Sequence, residues 1–124
     1  ELVLSGRQDR LAVGWPSFAA DGGGFGALVV GPEVETGRID EVAQSMVVLA
    51  NGMERARVAT GDDVTSPWAS FEALIDHATE RGVTLRAGQI ITTGACAMPF
   101  NIAEERVELE ARFDGKYLRA IVGS

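Results

Sequence analysis

Two short stretches hold the residue types that could do chemistry. The first, AADGGGFGALVVGP from Ala19 to Pro32, sets Asp21 before Gly22, Gly23, Gly24, Phe25 and Gly26. The second, QIITTGACAMPFNI from Gln89 to Ile102, runs a β-branched segment into Thr92, Thr93 and Gly94. A glycine run invites a phosphate reading, but a P-loop needs Lys and Ser or Thr after its glycines, and a dinucleotide fingerprint needs a helix there. The glycines lead instead into ALVVG, a strand by composition, so no helix N-terminus stands ready to hold an anion. Read alone, the first stretch is a mobile turn. In the second, a strand ending in Thr93-Gly94 can turn backbone N–H groups and a hydroxyl toward a ligand oxygen.

The other reactive side chains are few. Cys96 has no neighbouring base in the sequence to lower its pKa, so it reads as a small buried thiol rather than a nucleophile. His77 falls on the flank of a helix and reads as a solvated group. One His and one Cys exclude a zinc site built on those ligands, whereas a hard cation held by carboxylates stays open. The single lysine, Lys116, lies beside a turn, which argues against a catalytic lysine from this chain.

The 124 residues are expected to form one domain, and an apolar fraction of 46% is ample for a packed core. Eighteen acidic against eleven basic side chains leave a formal charge of -7. That balance disfavours nucleic acid, which needs clustered Lys and Arg. Cys96 has no second cysteine to pair with, and no stretch approaches the roughly twenty apolar residues that span a bilayer. A reducing cytoplasm without membrane attachment is the expected setting. The opening ELVLSG carries neither an initiator methionine nor the pattern of a signal peptide, so further residues are expected upstream in the natural protein.

The elements that must position these residues are mostly strands. Asn51-Gly52 joins SMVVLA to MERARVAT, and Asp114-Gly115 joins RVELEARF to KYLRAIVG. Both dipeptides supply the positive φ angles of tight hairpins. Val107, Leu109, Ala111 and Phe113 alternate with charged residues as one strand face should. Apolar runs at Leu2 to Leu4, Leu11 to Val13, Ala27 to Val30 and Gln89 to Thr92 are expected to be further strands. One helix is expected in SPWASFEALIDHATERG, with Ser66 as N-cap, Pro67 in the first turn and Gly82 as the stop. Trp68, Phe71, Leu74, Ile75 and Ala78 share one face, which is expected to pack on sheet. No internal repeat, low-complexity tract or linker divides the chain.

Four segments in order, ELVLSGRQDR, AADGGGFGALVVGP, VVLANGMERARVATG and LRAGQIITTGACAMP, resemble the C-terminal half of the fumarylacetoacetate hydrolase superfamily. Within it the chain is most similar to the branch of 2-oxopent-4-enoate hydratases and 4-oxalocrotonate decarboxylases, and the likeness covers nearly the whole chain. The resemblance implies a β-rich α+β fold, a mixed-strand sandwich or roll with one main helix, assembled as an oligomer in the cytoplasm. It implies a C-terminal part of a larger catalytic domain, or one chain of a split enzyme, completed by a missing N-terminal segment or a second polypeptide. The implied function is that of a metal-dependent lyase or hydrolase of small 2-oxo acids, working by hydration, decarboxylation or C–C cleavage. Mg2+ or Mn2+ would chelate the substrate and stabilise an enolate.

Carried over by motif, Glu1 falls on a metal carboxylate. Asp21 falls on the aspartate of the substrate loop and Thr93 on the late strand's threonine, both in catalytic positions. Gly22, Gly23, Phe25, Gly94 and Ala95 fall where substrate is bound. The departures are specific: Gly22 replaces an asparagine, Gly24 and Phe25 stand where two serines are expected, Ala95 replaces a Ser or Thr, and AEERV replaces a Pro-Gly-Asp turn. These losses of donors motivate an alternative, a non-catalytic or repurposed subunit. That subunit would be a scaffold, or a metal-free biosynthetic enzyme with an altered, more apolar pocket floored by Phe25.

Overall fold

The computed structural model describes residues 1–3, 14–103 and 105–123. They fall into two compact units, Glu1–Gly31 and Pro32–Ser124. The expected strand at Leu11 to Val13 and the end of the first run at Leu4 lie outside the described residues.

In the first unit, β1 (Leu2–Val3) pairs antiparallel with β2 (Phe25–Ala27), Leu2 opposite Ala27 and Val3 opposite Phe25. Between them stands a short helix, α1 (Trp15–Ala20), with Pro16 in its first turn. Trp15 and Phe18 meet edge to face at 5.8 Å. The expected strand from Ala27 to Val30 is therefore shifted: the ladder takes Phe25–Ala27, and Leu28 to Val30 lie outside it.

The second unit holds a four-stranded antiparallel sheet in the order β4-β3-β5-β6, with β3 (Val47–Ala50), β4 (Met53–Arg57), β5 (Arg106–Phe113) and β6 (Lys116–Gly123). Both hairpins form where the sequence placed them. Asn51 and Asp114 take φ of 50° and 47°, and Gly52 and Gly115 follow at 77° and 71°, so both central residues of each turn are left-handed. That is the geometry whose twist matches paired strands, and few residue pairs other than Asn-Gly and Asp-Gly accept it without strain. Asn51 also ties the hairpin to β5: its amide donates to the Glu108 carbonyl at 2.8 Å and its Oδ1 accepts the Glu108 amide at 3.0 Å.

Pairing sorts the side chains of the sheet. Val107, Leu109, Ala111 and Phe113 share a face with Ala50 and Val48 of β3 and with Leu118, Ala120 and Val122 of β6. Val107 is fully buried there. The opposite face carries Leu49 beside Glu110, whose carboxylate accepts from Arg112 and Arg119 and sits well below its ordinary pKa, held first by Arg119 and then by Arg112.

Two helices complete this unit. α2 (Ile39–Gln44) buries Val42 and Ala43. α3 (Pro67–Glu80) begins and ends as the sequence predicts. Ser66 Oγ accepts the Ala69 amide at 3.0 Å, and Asp40 of α2 adds a second acceptor, taking the Trp68 amide at 3.2 Å and the Ser66 hydroxyl at 2.9 Å. At the other end Gly82 donates to Thr79 at 3.1 Å and Val83 donates to Ala78 at 2.8 Å, the paired bonds of a Schellman stop with a left-handed glycine. The expected packing of the whole apolar face is not what forms. Among its five residues only Ala78 is buried, while Trp68 and Ile75 remain about two-fifths exposed.

Candidate functional site

The apolar side of α3 forms the wall of an open groove of about 930 Å³. Trp68, Phe71 and Ile75 line one side, and Val83, Leu85 and Ile91 line the other. The chain reaches that second side by way of the Schellman stop, which reverses its direction at Gly82. A tight turn follows in Arg86-Ala87-Gly88-Gln89. The Gln89 amide donates to the Arg86 carbonyl at 3.3 Å, the Gln89 side-chain oxygen accepts the Arg86 amide, and Gly88 supplies a φ of 88° at the third position, as a type II turn requires.

The polar side chains of the lining are Thr79, Thr84, Arg86, Gln89 and Thr93. Thr93, half-buried, lines the groove together with Arg86. Arg86 is the one charged side chain of the lining, and among the described residues its guanidinium has no carboxylate within ion-pair distance. A planar guanidinium at an apolar wall is suited to a carboxylate, which it can bind through two parallel hydrogen bonds. The groove has the size and largely apolar lining of a small-ligand site. Sequence reasoning missed Arg86. It lies in the LRAGQ segment, where its signal would have been a lone cation followed by a turn glycine and an uncharged β-branched run.

The other sequence-predicted residues distribute as follows. Thr93 enters the groove, whereas Gly94, at φ 103°, and Ala95 follow it into solvent and are not part of the lining. Asp21 ends α1: its amide donates to Ser17 at 3.2 Å and its carbonyl accepts Gly24 at 2.9 Å. Gly22, Gly23 and Gly24 are all left-handed, with φ of 62°, 68° and 74°, and the position a Cβ would take on Gly23 is 3.8 Å from the Phe18 ring. Three such angles in succession are accessible only to glycine without strain, so the run is a shaped loop rather than a loose bend. Phe25 opens β2 with its residue 54% exposed. Glu1 is exposed and precedes β1, which the register sets beside the far end of β2 from the glycine loop. Glu1, Asp21, Gly22, Gly23 and Phe25 thus belong to the first unit, and Thr93, Gly94 and Ala95 to the second.

Among the described residues no three His, Cys, Asp or Glu side chains gather where they could hold a metal ion. A hard cation takes about six oxygen ligands, and Glu1 offers at most its two carboxylate oxygens. The described donor set does not by itself make up a Mg2+ or Mn2+ site.

Cys96 behaves as the sequence predicts. It is half-buried, its carbonyl accepts the Ala59 amide at 3.1 Å, and burial, with the Asp40 charge second, pushes its thiol pKa up. A thiol shifted in that direction is a poor nucleophile. His77 is exposed on α3 beside Arg81. Lys116 donates to the Glu33 carbonyl at 2.5 Å, a structural contact.

No helix among the described residues is long and apolar enough to cross a membrane. Comparison with protein-family models, with curated proteins and with solved structures returns no match to this chain.

Proposed function

We propose that the chain is part of a lyase or hydrolase acting on small 2-oxo acids, and that the α3 groove receives the organic acid. The observation that carries this reading is that Thr93 and Arg86 line the same largely apolar groove. Thr93 was singled out from sequence alone, and Arg86 supplies the cation that a carboxylate substrate requires. In this reading Arg86 grips the carboxylate and the Thr93 hydroxyl donates to the neighbouring oxygen. The apolar walls around Trp68 and Ile91 would cover the carbon chain of the acid. The fold is read as the C-terminal sandwich or roll of the fumarylacetoacetate hydrolase superfamily, working as an oligomer in the cytoplasm. Mg2+ or Mn2+ would be held by Glu1 together with ligands from a further segment or a second polypeptide, because the described residues do not complete such a site.

The test is a calorimetric titration with pyruvate and 2-oxopentanoate, with pentanoate as the control that lacks the keto oxygen. Arg86→Gln is expected to weaken binding of all three by about tenfold or more, the worth of a charge-assisted hydrogen bond. Thr93→Val is expected to weaken only the two 2-oxo acids. Equal binding by the unaltered chain and the Arg86→Gln variant would remove the basis of the proposal.

A second reading, the repurposed or scaffold subunit, is supported by the glycine loop. With Gly22, Gly23 and Gly24 all left-handed, the loop has backbone donors and no side-chain donors where the resembled branch has serine and asparagine. Metal analysis of the purified assembly separates the two. Bound Mg2+ or Mn2+ with turnover of a 2-oxo acid supports the enzyme. An assembly that forms with neither metal nor turnover supports the scaffold, and turnover without metal supports the biosynthetic variant.

A further inference from the structure

The run from Gln89 to Thr92 was expected to be a strand, and from Gln89 to Thr93 the side chains alternate as a strand requires. Gln89, Ile91 and Thr93 line the α3 groove, while Ile90 and Thr92 point away from it, Ile90 with 68% of its surface exposed. What the segment lacks is a ladder. Among the described residues, no backbone hydrogen bond is made by Ile90, Ile91, Thr92 or Thr93. Backbone donors and acceptors in this state form a template for another extended chain, and β-branched residues are the ones that fit it best.

We infer that this segment pairs antiparallel with the same segment of a second copy of the chain. Three observations select that occupant. First, a row of free amide and carbonyl groups is completed by a polypeptide strand, not by a small ligand. Second, the segment is framed symmetrically about Ile91: Gly88 and Gly94, both left-handed at φ 88° and 103°, end it three residues to either side. An antiparallel dyad at Ile91 sets Ile90 against Thr92 of the second copy, Gln89 against Thr93, and Gly88 against Gly94. The two copies therefore match in length and in chemistry. Third, Gly88 to Gly94 carries no charge in a chain whose formal charge is -7, so two copies meet here without facing like charges.

The edges of the four-stranded sheet do not offer this. β4 presents Glu54, Arg55 and Arg57, and self-pairing of β6 about its middle would bring Arg119 close to its own equivalent. Residues that pair directly share a face, so the two-stranded ribbon places both copies of Ile91 on one side. There it forms a continuous apolar floor to the two α3 grooves. This inference does not rest on the 2-oxo acid reading.

Sedimentation velocity on the whole chain at rising micromolar concentration tests it. The expected species has twice the 13.1 kDa chain mass, and hydrogen exchange at the amides of Ile90 to Thr93 slows as that species forms. Ile90→Lys combined with Thr92→Lys, which sets like charges against each other across the dyad, is expected to give a monomer. Ile90→Lys combined with Thr92→Glu, which sets opposite charges against each other in the same register, is expected to restore the dimer. A chain that stays monomeric throughout, exchange at these amides that ignores concentration, or a dimer that survives the double lysine substitution overturns the inference. Should either variant fail to fold by circular dichroism, the exchange measurement on the unaltered chain decides alone.

Discussion

Arg38 grips Asp114 through two parallel hydrogen bonds of 3.0 Å each, across 76 positions of sequence. Asp114 is the left-handed first residue of the β5-β6 turn, and its amide is taken by Ser45 Oγ at 2.9 Å, just past the end of α2. Both sides of one turn residue are thereby tied to the segment that carries α2. The same guanidinium also bonds Glu41, whose carboxyl it holds below the ordinary carboxylate range. Arg38→Gln is expected to lower the thermal midpoint by a few degrees at low ionic strength. Because these groups are partly exposed, the loss should shrink markedly in molar salt. Thermal melts of both proteins at two salt concentrations check this, and a salt-independent difference would mean that packing, not charge, joins the two parts.

Ser66 heads α3 and also donates to Asp40, so it satisfies one group on each side. Ser66→Ala removes both bonds and should cost about 1 kcal/mol. Ser66→Asp keeps an acceptor for the Ala69 amide but sets a second carboxylate against Asp40, so it should not recover the full loss. Urea unfolding of the three proteins, followed by far-ultraviolet circular dichroism, gives the comparison. Full recovery by the aspartate would show that the Ser66–Asp40 hydrogen bond adds nothing to the cap.

Glu110 supplies a pH dependence of defined sign. Its folded-state pKa lies below the unfolded value because Arg119 and Arg112 hold the ionised form. The stabilisation is therefore complete above the unfolded carboxylate range, near 4.3, and is lost as pH falls through the lower folded value. Glu110→Gln should be less stable than the unaltered chain at neutral pH, and the gap should narrow progressively below about pH 4.5. Chemical denaturation across that range reads the trend directly; a gap that widens on acidification would contradict the assignment.

Cys96 is half-buried with its pKa raised. Its alkylation by iodoacetamide at neutral pH should run several-fold slower than that of free cysteine, with the apparent thiol pKa shifted upward in the rate profile. Asp40→Asn removes the secondary, electrostatic cause and should lower that apparent pKa by only part of the shift. A rate equal to free cysteine would show that the thiol is neither buried nor perturbed.

The candidate site was half legible in the sequence. Thr93 could be found because a β-branched run ending in Thr-Gly can present a hydroxyl and backbone groups at a strand end. Arg86 was marked in the sequence only as a lone cation before a turn glycine, and it is the lining shared with α3 that gives it a place in a groove. The glycine run was legible as a non-phosphate loop, but its shape was not. A run of glycines permits many backbone paths, and only the structure shows that all three residues are left-handed and that Gly23 lies close to the Phe18 ring.

What the sequence by itself determined is what local chemistry dictates. The left-handed pairs at Asn51-Gly52 and Asp114-Gly115 set two hairpins, Ser66 and Pro67 set the start of α3, and Gly82 set its end, because each of these depends on neighbours within a few residues. The tertiary structure alone decided which apolar faces find a partner. Trp68 and Ile75 have the periodicity of buried residues, yet burial is a property of the opposing surface. Gln89 to Thr93 has the alternation of a strand, yet a strand exists only when a second backbone supplies its hydrogen bonds.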